Sequence, residues 1–313
     1  MFESVESRRL FSIPPFVFPG NSFLYQPTKT LVKVSLSNGV LSILGSTGAD
    51  HVTVNLANSK IHVVAHNAVK TWPVGYLKPL YGDLVRDYSA ASVGAMSVDL
   101  GAGNDFFEQS LGVDDATVHG GAGDDTILGR FGVVGITAHV FGDDGNDTFE
   151  ISGQFCNVDG GAGADTFRNY MNDVGPLVDY SSRSANVSID MNSPGGDGEA
   201  GENDSVEPSC YGVVGGSGND YIMGATSVAG TVTNGEGMFW GNDGNDTIFG
   251  GVGYDVINGG NGNDQLHLGP VGDGPNIGGA IHGGEGNDTL WGTGSNSDML
   301  DGGSGNNVIH PTE

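Results

Sequence analysis

An uninterrupted nine-residue repeat constrains the fold of this chain more than any other feature. Residues 241–267 read GNDGNDTIF, GGVGYDVIN and GGNGNDQLH, so glycine, aspartate and a large apolar residue recur at fixed offsets. Such a unit can form one tight turn and one very short strand, and two units can form one coil of a β-solenoid. Stacked coils would lie about 4.8 Å apart, the distance between paired strands. Asp246 and Asp264 are therefore predicted to stack on one edge, with Asp255 on the opposite edge.

A stack of aspartates creates an electrostatic problem. Two carboxylates about 5 Å apart repel each other by roughly 3 kcal/mol at an effective dielectric constant of about 20. No basic side chain of these repeats can neutralise them, because all eleven lysines and arginines lie at or before Arg183. A hard divalent cation held by carboxylate and carbonyl oxygens is the natural alternative, and calcium accepts about six to eight such ligands. Glycine fits this interpretation, since it permits positive φ and leaves carbonyl oxygens unobstructed.

Further copies of the nonapeptide occur over most of the chain. Close matches are 100–108 (LGAGNDFFE), 120–128 (GGAGDDTIL), 142–150 (GDDGNDTFE), 160–168 (GGAGADTFR), 215–223 (GGSGNDYIM) and 283–291 (GGEGNDTLW). Residues 45–53 (GSTGADHVT) and 302–310 (GGSGNNVIH) match less well, and the second has Asn307 in place of the aspartate. On these motifs the chain resembles the RTX, or haemolysin-type, calcium-binding repeat proteins of bacteria.

The resemblance implies an all-β fold, a parallel β-roll or β-helix solenoid, with several calcium ions between the turns of successive coils. Each ion would be held by the repeat aspartates and by turn carbonyls, including those of glycines. At the matching positions, the expected calcium-binding residues are Asp105, Asp125, Asp147, Asp165, Asp220, Asp246, Asp255, Asp264, Asp288, Asp298, Gly244, Gly253 and Gly262.

The spacing of the aspartates predicts how the two edges of the solenoid are used. Those of the first block recur after 20, 22 and 18 residues, so one edge keeps the repeat turn and the other carries longer loops. In the second block, Asp246, Asp264 and Asp288 are predicted on one edge, and Asp255, Asp273 and Asp298 on the other. The predicted core contains the apolar residue of each repeat: Phe107, Ile127, Phe149, Phe167, Ile222, Ile248, Ile257, Leu266, Leu290 and Ile309.

Hairpin signals precede the first repeats. Asn38-Gly39 between the alternating segments 31–36 and 40–44 predicts a two-residue hairpin, and Asn58 lies between a second pair, 52–56 and 61–65. We expect these strands to form an N-terminal antiparallel β-hairpin cap, because an open first coil would expose unpaired backbone groups.

The expected domain organisation follows from these signals. It consists of an N-terminal tail (1–30), the antiparallel β cap (31–98), a first calcium-repeat block (99–171), an irregular acidic insertion (172–214) and a second calcium-repeat block (215–313).

The insertion contains an acidic segment that allows two interpretations. Asp197, Glu199, Glu202 and Asp204 could form an additional calcium site, or they could belong to a solvated loop, which is the favoured interpretation. An EF-hand is excluded, because its acidic residues do not occur at the required spacing.

Composition and charge exclude some classes of binding partner. A net charge of −27 argues against nucleic acid and anionic membranes. No apolar run reaches the roughly 18 residues of a membrane-spanning helix, so membrane insertion is not expected.

Two cysteines, Cys156 and Cys210, give no disulfide framework. The first twelve residues (MFESVESRRLFS) resemble a short motif of bacterial surface and exported proteins, although a disordered tail is the alternative.

The sequence lacks the common catalytic motifs. It contains no His-Glu-x-x-His zinc motif, no Gly-x-Ser-x-Gly nucleophile elbow and no P-loop. His62 and His66 are four apart, a spacing that brings ligands together on a helix but not on the predicted strand. Trp72, Trp240 and Trp291 could stack on sugars, but packing within the solenoid is the favoured role.

Two classes of function remain. The first is a non-enzymatic, calcium-dependent structural or surface-interaction protein, located at the bacterial cell surface or outside the cell, with a cell-surface component or a polysaccharide as partner. The second is a polysaccharide-acting lyase or epimerase that uses a solenoid face. It would need a basic residue to hold an acidic sugar, and Arg130, Arg168 and Arg183 are the candidates.

Overall fold

The computed structural model describes residues 32–66, 69–71, 80–81, 83–110, 115–131, 138–153, 156–169, 174–226, 236–269 and 278–312. These residues form an all-β, parallel β-solenoid that matches a β-roll. Within them, the one helical element is the 3₁₀ turn Ala90–Ser92, and no helix is long and apolar enough to cross a membrane.

The strands are β1 (Lys33–Ser37), β2 (Val40–Ser46), β3 (His51–Ala57), β4 (Lys60–His66), β5 (Val69–Thr71), β6 (Leu80–Tyr81), β7 (Leu84–Ser89), β8 (Ala95–Gly101), β9 (Phe106–Gln109), β10 (Asp115–Ala122), β11 (Thr126–Arg130), β12 (Ala138–Asp144), β13 (Thr148–Ser152), β14 (Cys156–Asp159) and β15 (Thr166–Arg168). They continue as β16 (Leu177–Asp179), β17 (Val187–Asp190), β18 (Gly198–Glu199), β19 (Ser205–Val206), β20 (Gly212–Val214), β21 (Tyr221–Met223), β22 (Met238–Asp243), β23 (Thr247–Phe249), β24 (Val256–Asn261), β25 (Gln265–His267), β26 (Ala280–Glu285), β27 (Thr289–Trp291), β28 (Met299–Asp301) and β29 (Val308–His310).

One face of the solenoid is a single long sheet, and the other face is divided into two sheets. The long sheet has the order β1-β2-β8-β10-β12-β14-β16-β20-β22-β24-β26-β28. The N-terminal facing sheet has the order β19-β15-β13-β11-β9-β3-β4-β7, and the C-terminal facing sheet has the order β18-β17-β21-β23-β25-β27-β29. Strands β5 and β6 form a separate antiparallel pair.

The nonapeptide period sets the register between coils. Ile248 pairs with Ile222 on one side and Leu266 on the other, all in the C-terminal facing sheet. Ile257, nine residues after Ile248, lies in the long sheet and pairs with Ile281. One repeat therefore forms each face of a coil, as predicted, and equivalent residues stack.

The apolar residue of each repeat forms the core. Phe107, Ile127, Phe149, Phe167, Ile222, Ile248, Ile257, Leu266 and Leu290 are all fully buried. The rings of Phe149 and Phe167 stack with their centroids 5.1 Å apart. The prediction was wrong for Ile309, which is 44% exposed because β29 is the last strand of its sheet and no described coil covers it.

Both predicted hairpins are present. Two-residue turns join β1 to β2 and β3 to β4, and both use positive φ, including Asn38 at 51° and Gly39 at 83°. Strands β2 and β3 have a second role, since they pair in parallel with β8 and β9. They therefore form the first coil, and β1, β4 and β7 cover it as antiparallel strands.

The long sheet continues through residues 172–214, where an irregular insertion was expected. Strands β16 and β20 add to it in parallel register. The facing side is irregular here, because β18 runs antiparallel to β17 and a backbone bridge joins Asp197 to Asp204. The predicted domain boundaries remain predictions.

Candidate metal-binding edge

The repeat turns stack along one edge of the solenoid, where the chain passes from the long sheet to a facing sheet; we call this the turn edge. The aspartates form a ladder along it, because each backbone N–H donates to Oδ1 of the aspartate in the next coil. The N–O distances are 2.7 Å for Asp105 to Asp125 and for Asp147 to Asp165, and 2.9 Å for Asp246 to Asp264. The predicted stacking of Asp246 on Asp264 is confirmed.

The second carboxylate oxygen has a different environment. In most of the repeat aspartates Oδ2 is buried and has no hydrogen-bond partner. We call these atoms the orphan oxygens: Oδ2 of Asp125, Asp147, Asp165, Asp246, Asp255, Asp264 and Asp288. Buried polar atoms in proteins almost always have a partner, so this regular series of exceptions indicates that these oxygens bind a ligand.

The first glycine of each turn positions the orphan oxygen. A Cβ added to Gly120 would lie 2.6 Å from Asp125 Oδ2 and 2.8 Å from the carbonyl oxygen of Gly142 in the next coil. Gly283 has the same surroundings, with Asp288 Oδ2 at 2.5 Å and the carbonyl of Gly302 at 2.7 Å. Carboxylate and carbonyl oxygens thus converge on one point, which explains why this position is glycine.

Burial makes the ionised form of these aspartates unfavourable. It raises the pKa of Asp125 and Asp264 to about 6, and the pKa of Asp147, Asp165 and Asp246 to about 7, although the backbone hydrogen bonds to Oδ1 oppose the shift. At neutral pH the metal-free edge must therefore hold protons or carry buried charge, and a cation would remove this conflict.

The turn glycines that were predicted as carbonyl ligands, Gly244, Gly253 and Gly262, all have positive φ, and their role as ligands remains a prediction. Gly244 and Gly262 have φ values of 128° and 142°, and a Cβ added to Gly262 would collide with the carbonyl oxygen of Gly244 in the neighbouring coil. Gly253, with φ of 107°, belongs to the turn of Asp255 on the opposite edge.

Calcium ligation fits the donor set of the turn edge. No three His, Cys, Asp or Glu side chains converge in the described part of the chain. An ion between two coils would consequently be held by stacked aspartates together with backbone carbonyl oxygens. All of these are hard oxygen donors, which calcium accepts in flexible geometry.

Two of the predicted ligands have a different hydrogen-bonding environment. Asp220 accepts Val187 N–H at 2.9 Å through Oδ1 and Gly216 N–H at 2.7 Å through Oδ2. Asp298 Oδ2 accepts the N–H groups of Thr293 and Gly294, at 2.9 and 3.0 Å, within its own turn. Backbone donors thus already satisfy both carboxylates without metal.

The opposite edge differs from the sequence prediction. The register of β24 with β26 places Gly279 next to Asp255, and that of β26 with β28 places Asp298 next to Gly279. Asp273, predicted between the two aspartates, lies outside the described residues. Asp255 Oδ1 accepts the N–H of Gly237 at 2.9 Å.

Sequence reasoning missed several members of the turn edge. Asp50 extends the ladder at its start, since its N–H donates to Asp105 Oδ1 at 2.5 Å. Asp204 extends it after Asp165, whose N–H donates to Asp204 Oδ1 at 2.8 Å. The preference for a solvated acidic loop was wrong for Asp197 and Asp204, which are both buried. The weak match at 45–53 could have indicated Asp50, but no spacing signal marks Asp204.

An amide ladder runs beside the aspartates. In the second block, the residue before the repeat position accepts, through Oδ1, the N–H of the equivalent residue in the next coil; the series runs from Asn219 through Asn245, Asn263 and Asn287 to Asn306. Asn186 of the preceding turn accepts the N–H of Asn219 in the same way. The recurrent Asn-Asp pair in the sequence was the available signal. These hydrogen bonds fix the register between successive turns.

The other candidate residues lie outside this site. His62 pairs with Asp87 at 2.6 Å on the cap. Trp291 lies in a row of aromatic rings on the C-terminal facing sheet and stacks on His267 at 4.0 Å and His310 at 5.4 Å. Its ring faces are therefore used within the row, as the packing interpretation expected. Cys156 and Cys210 are both buried free thiols.

Comparison with protein families supports the metal assignment. A family described as the RTX calcium-binding nonapeptide repeat (4 copies) matches residues 112–133, 213–226, 240–273 and 280–309. No curated protein matches the chain.

Proposed function

We propose that calcium drives the folding of this chain and makes its β-roll solenoid rigid, since four of its segments match the RTX calcium-binding nonapeptide repeat. The series of orphan oxygens is the observation that carries this proposal. Each faces a carbonyl oxygen or lies beside its own turn glycine, and each belongs to an aspartate of the repeat.

Calcium would act by replacing the repulsion and burial of the aspartate charges with metal–oxygen bonds. In its absence, an orphan oxygen at neutral pH must take up a proton or remain charged inside the protein. A ligand that binds the folded chain alone stabilises it by RT ln(1 + [L]/Kd), which is about 2.7 kcal/mol per site at a hundredfold excess over Kd. Several such sites supply enough free energy to decide whether a small domain folds.

This coupling suits a protein that works outside the cell. RTX repeats are typical of exported bacterial proteins. The chain would remain loosely folded at the low calcium concentration of the cytoplasm and become rigid outside. We propose that it then serves as a non-enzymatic structural or surface-interaction protein, with a cell-surface component or a polysaccharide as partner.

The alternative of a polysaccharide-acting enzyme receives no specific support. Of the three candidate arginines, Arg168 pairs with Glu150. Arg183 contacts Asp159 and Glu202. These two basic groups are therefore already used within the protein.

Circular dichroism and calorimetry test the proposal. Metal-stripped protein at pH 7.5 is expected to have a weak β signal that rises cooperatively on addition of calcium, and an excess of magnesium serves as the control for ionic strength and charge. Calorimetric titration should give several sites and a folding enthalpy in the same experiment. A full β signal in excess chelator would contradict the proposal.

A further inference from the structure

One turn on the turn edge lacks the repeat. Residues 180–186 (YSSRSAN), which we call the junction turn, connect β16 to β17. Since β16 pairs with β14 and β20, this turn lies between the repeat turns 160–165 and 215–220. It has no first glycine and no aspartate of its own, so the series of equivalent oxygen atoms is interrupted here.

The junction turn contains an arginine whose side chain reaches back to the preceding repeat turn. The Arg183 guanidinium donates to the carbonyl oxygen of Gly161 in the preceding repeat turn. It also lies 3.3 Å from Asp159 Oδ1 and 3.4 Å from Glu202 Oε1. Its side chain is only 14% exposed. A largely covered cation thus contacts one carbonyl and two carboxylate oxygens, the same kinds of donor that the repeat turns present.

The backbone of Arg183 continues the stack in the opposite direction. Its carbonyl oxygen accepts the N–H of Ser217 in the following repeat turn at 3.0 Å. In a regular pair of turns, the N–H of Ala162 makes the equivalent bond to the carbonyl of Asp143. Arg183 therefore connects to both neighbouring turns, through its side chain on one side and its backbone on the other.

The carboxylates at the junction have partners that the aspartates with orphan oxygens lack. Tyr180 Oη donates to Asp204 Oδ2 at 2.8 Å, so this ladder aspartate has no orphan oxygen. Asp197 Oδ2 accepts the N–H of Val206 at 2.8 Å, and both oxygens of Asp220 accept backbone N–H groups. Orphan oxygens thus lie on either side of the junction, whereas these three carboxylates are satisfied by the protein.

We infer that Arg183 is a built-in cation that replaces calcium at this one position. It divides the turn edge into two separate runs of calcium sites and lets the junction form without metal. The inference rests on the proposed function, since it assumes that calcium occupies the runs on either side. The metal-free junction would keep the strands of the long sheet paired while the two runs of sites on either side bind calcium.

Hydrogen exchange measured by mass spectrometry on the full chain in excess chelator tests this inference. Peptides from 177–220 should be more protected than peptides from 241–267. Arg183→Met, which keeps the length of the side chain but removes the charge, should raise exchange in the junction peptides by about tenfold or more. Arg183→Lys keeps the charge and should retain most of the protection. Arg168→Met, which removes an exposed arginine from β15, is the matched control and should change little.

The outcomes separate this inference from the proposed function. Equal exchange of junction and repeat peptides in chelator, followed by full protection in calcium, would overturn the inference and leave the proposed function intact. Equal protection of both in chelator would refute the proposed function, and the inference would then require that Arg183→Met still loosen the junction alone. Equal behaviour of Arg183→Met and Arg183→Lys would mean that side-chain packing, not charge, matters, and would overturn the inference.

Discussion

Replacing one repeat aspartate with asparagine should strengthen the metal-free fold and weaken the calcium-bound one. Asp246 Oδ1 accepts the N–H of Asp220 at 2.7 Å, and Oδ2 is an orphan oxygen. The chain already contains the substituted arrangement at Asn307, where Oδ1 accepts the N–H of Asp288 at 2.8 Å and Nδ2 donates to the carbonyl of Gly302 at 2.7 Å. Asp246→Asn should therefore keep the ladder bond and gain a hydrogen bond in place of the buried charge.

The magnitude follows from the pKa of Asp246, which burial raises from 3.8 to about 7. An aspartate whose pKa is higher in the folded chain than in the unfolded chain destabilises the fold. This loss of stability begins as the pH rises above the unfolded-state pKa and is complete above the folded-state pKa. The full effect, present above pH 7, is about 4 kcal/mol at 1.36 kcal/mol per pKa unit. Asp246→Asn should remove this penalty at pH 8 and about 2 kcal/mol of it at pH 5.5, where the folded carboxyl is still protonated.

Urea unfolding followed by circular dichroism measures both effects, with an equal concentration of a stabilising osmolyte in all samples so that the metal-free fold is populated. In chelator at pH 8 the variant should have the higher midpoint, and in saturating calcium the lower one. Asp220→Asn is the matched control, because both oxygens of Asp220 accept N–H groups and a new amide would face one of them. A loss of stability in chelator for Asp246→Asn, equal to that of Asp220→Asn, would refute the reasoning.

Three further predictions concern the turns, the pH and the core. Gly283→Ala should abolish calcium-induced folding of the second run, because its Cβ would lie 2.5 Å from Asp288 Oδ2, whereas Gly94→Ala, with open space around it, should bind calcium normally in calorimetry. In chelator the β signal in circular dichroism should increase as the pH falls from 8 to 5, because burial raises the pKa values of five aspartates to about 6–7: Asp125, Asp147, Asp165, Asp246 and Asp264. In calcium the signal should be nearly constant over this pH range. A pH-independent signal in chelator would contradict the burial argument. Phe149→Ala should destabilise the calcium-bound protein by about 3–5 kcal/mol in urea unfolding, because Phe149 is fully buried in the core. Phe141→Ala, on the outer face of β12, should cost less than about 1 kcal/mol. Equal losses of stability would contradict the assignment of Phe149 to the core and Phe141 to the outer face.

The repeat alone predicted the regular part of the fold because its period carries three signals together. Glycine permits the turn, the apolar residue two positions after the aspartate fills the core, and the nine-residue spacing fixes the register. The hairpin at Asn38-Gly39 was equally predictable, because a two-residue turn with positive φ leaves few alternatives. Most of the predicted ladder follows from these local rules.

The junction could not be predicted in the same way. Asp204 follows Asp165 by 39 residues, and only the long connection through β16 to β18 brings it to the ladder. The partners of Arg183 likewise come from three segments, with Asp159 on β14, Gly161 in the next turn and Glu202 after β18. No local pattern encodes such contacts, because they depend on how far each intervening loop carries the chain.

The sequence by itself determined that the chain coils with a nine-residue period and that its aspartates stack, since both follow from interactions between residues at fixed separations. Only the tertiary structure decided which carboxylate oxygens remain without a partner and which are satisfied by Tyr180, Val187, Val206 or Gly216. The physical reason is that a buried oxygen is satisfied by whichever donor the neighbouring coil presents. The identity of that donor depends on the register between coils, which insertions change without altering the repeat itself.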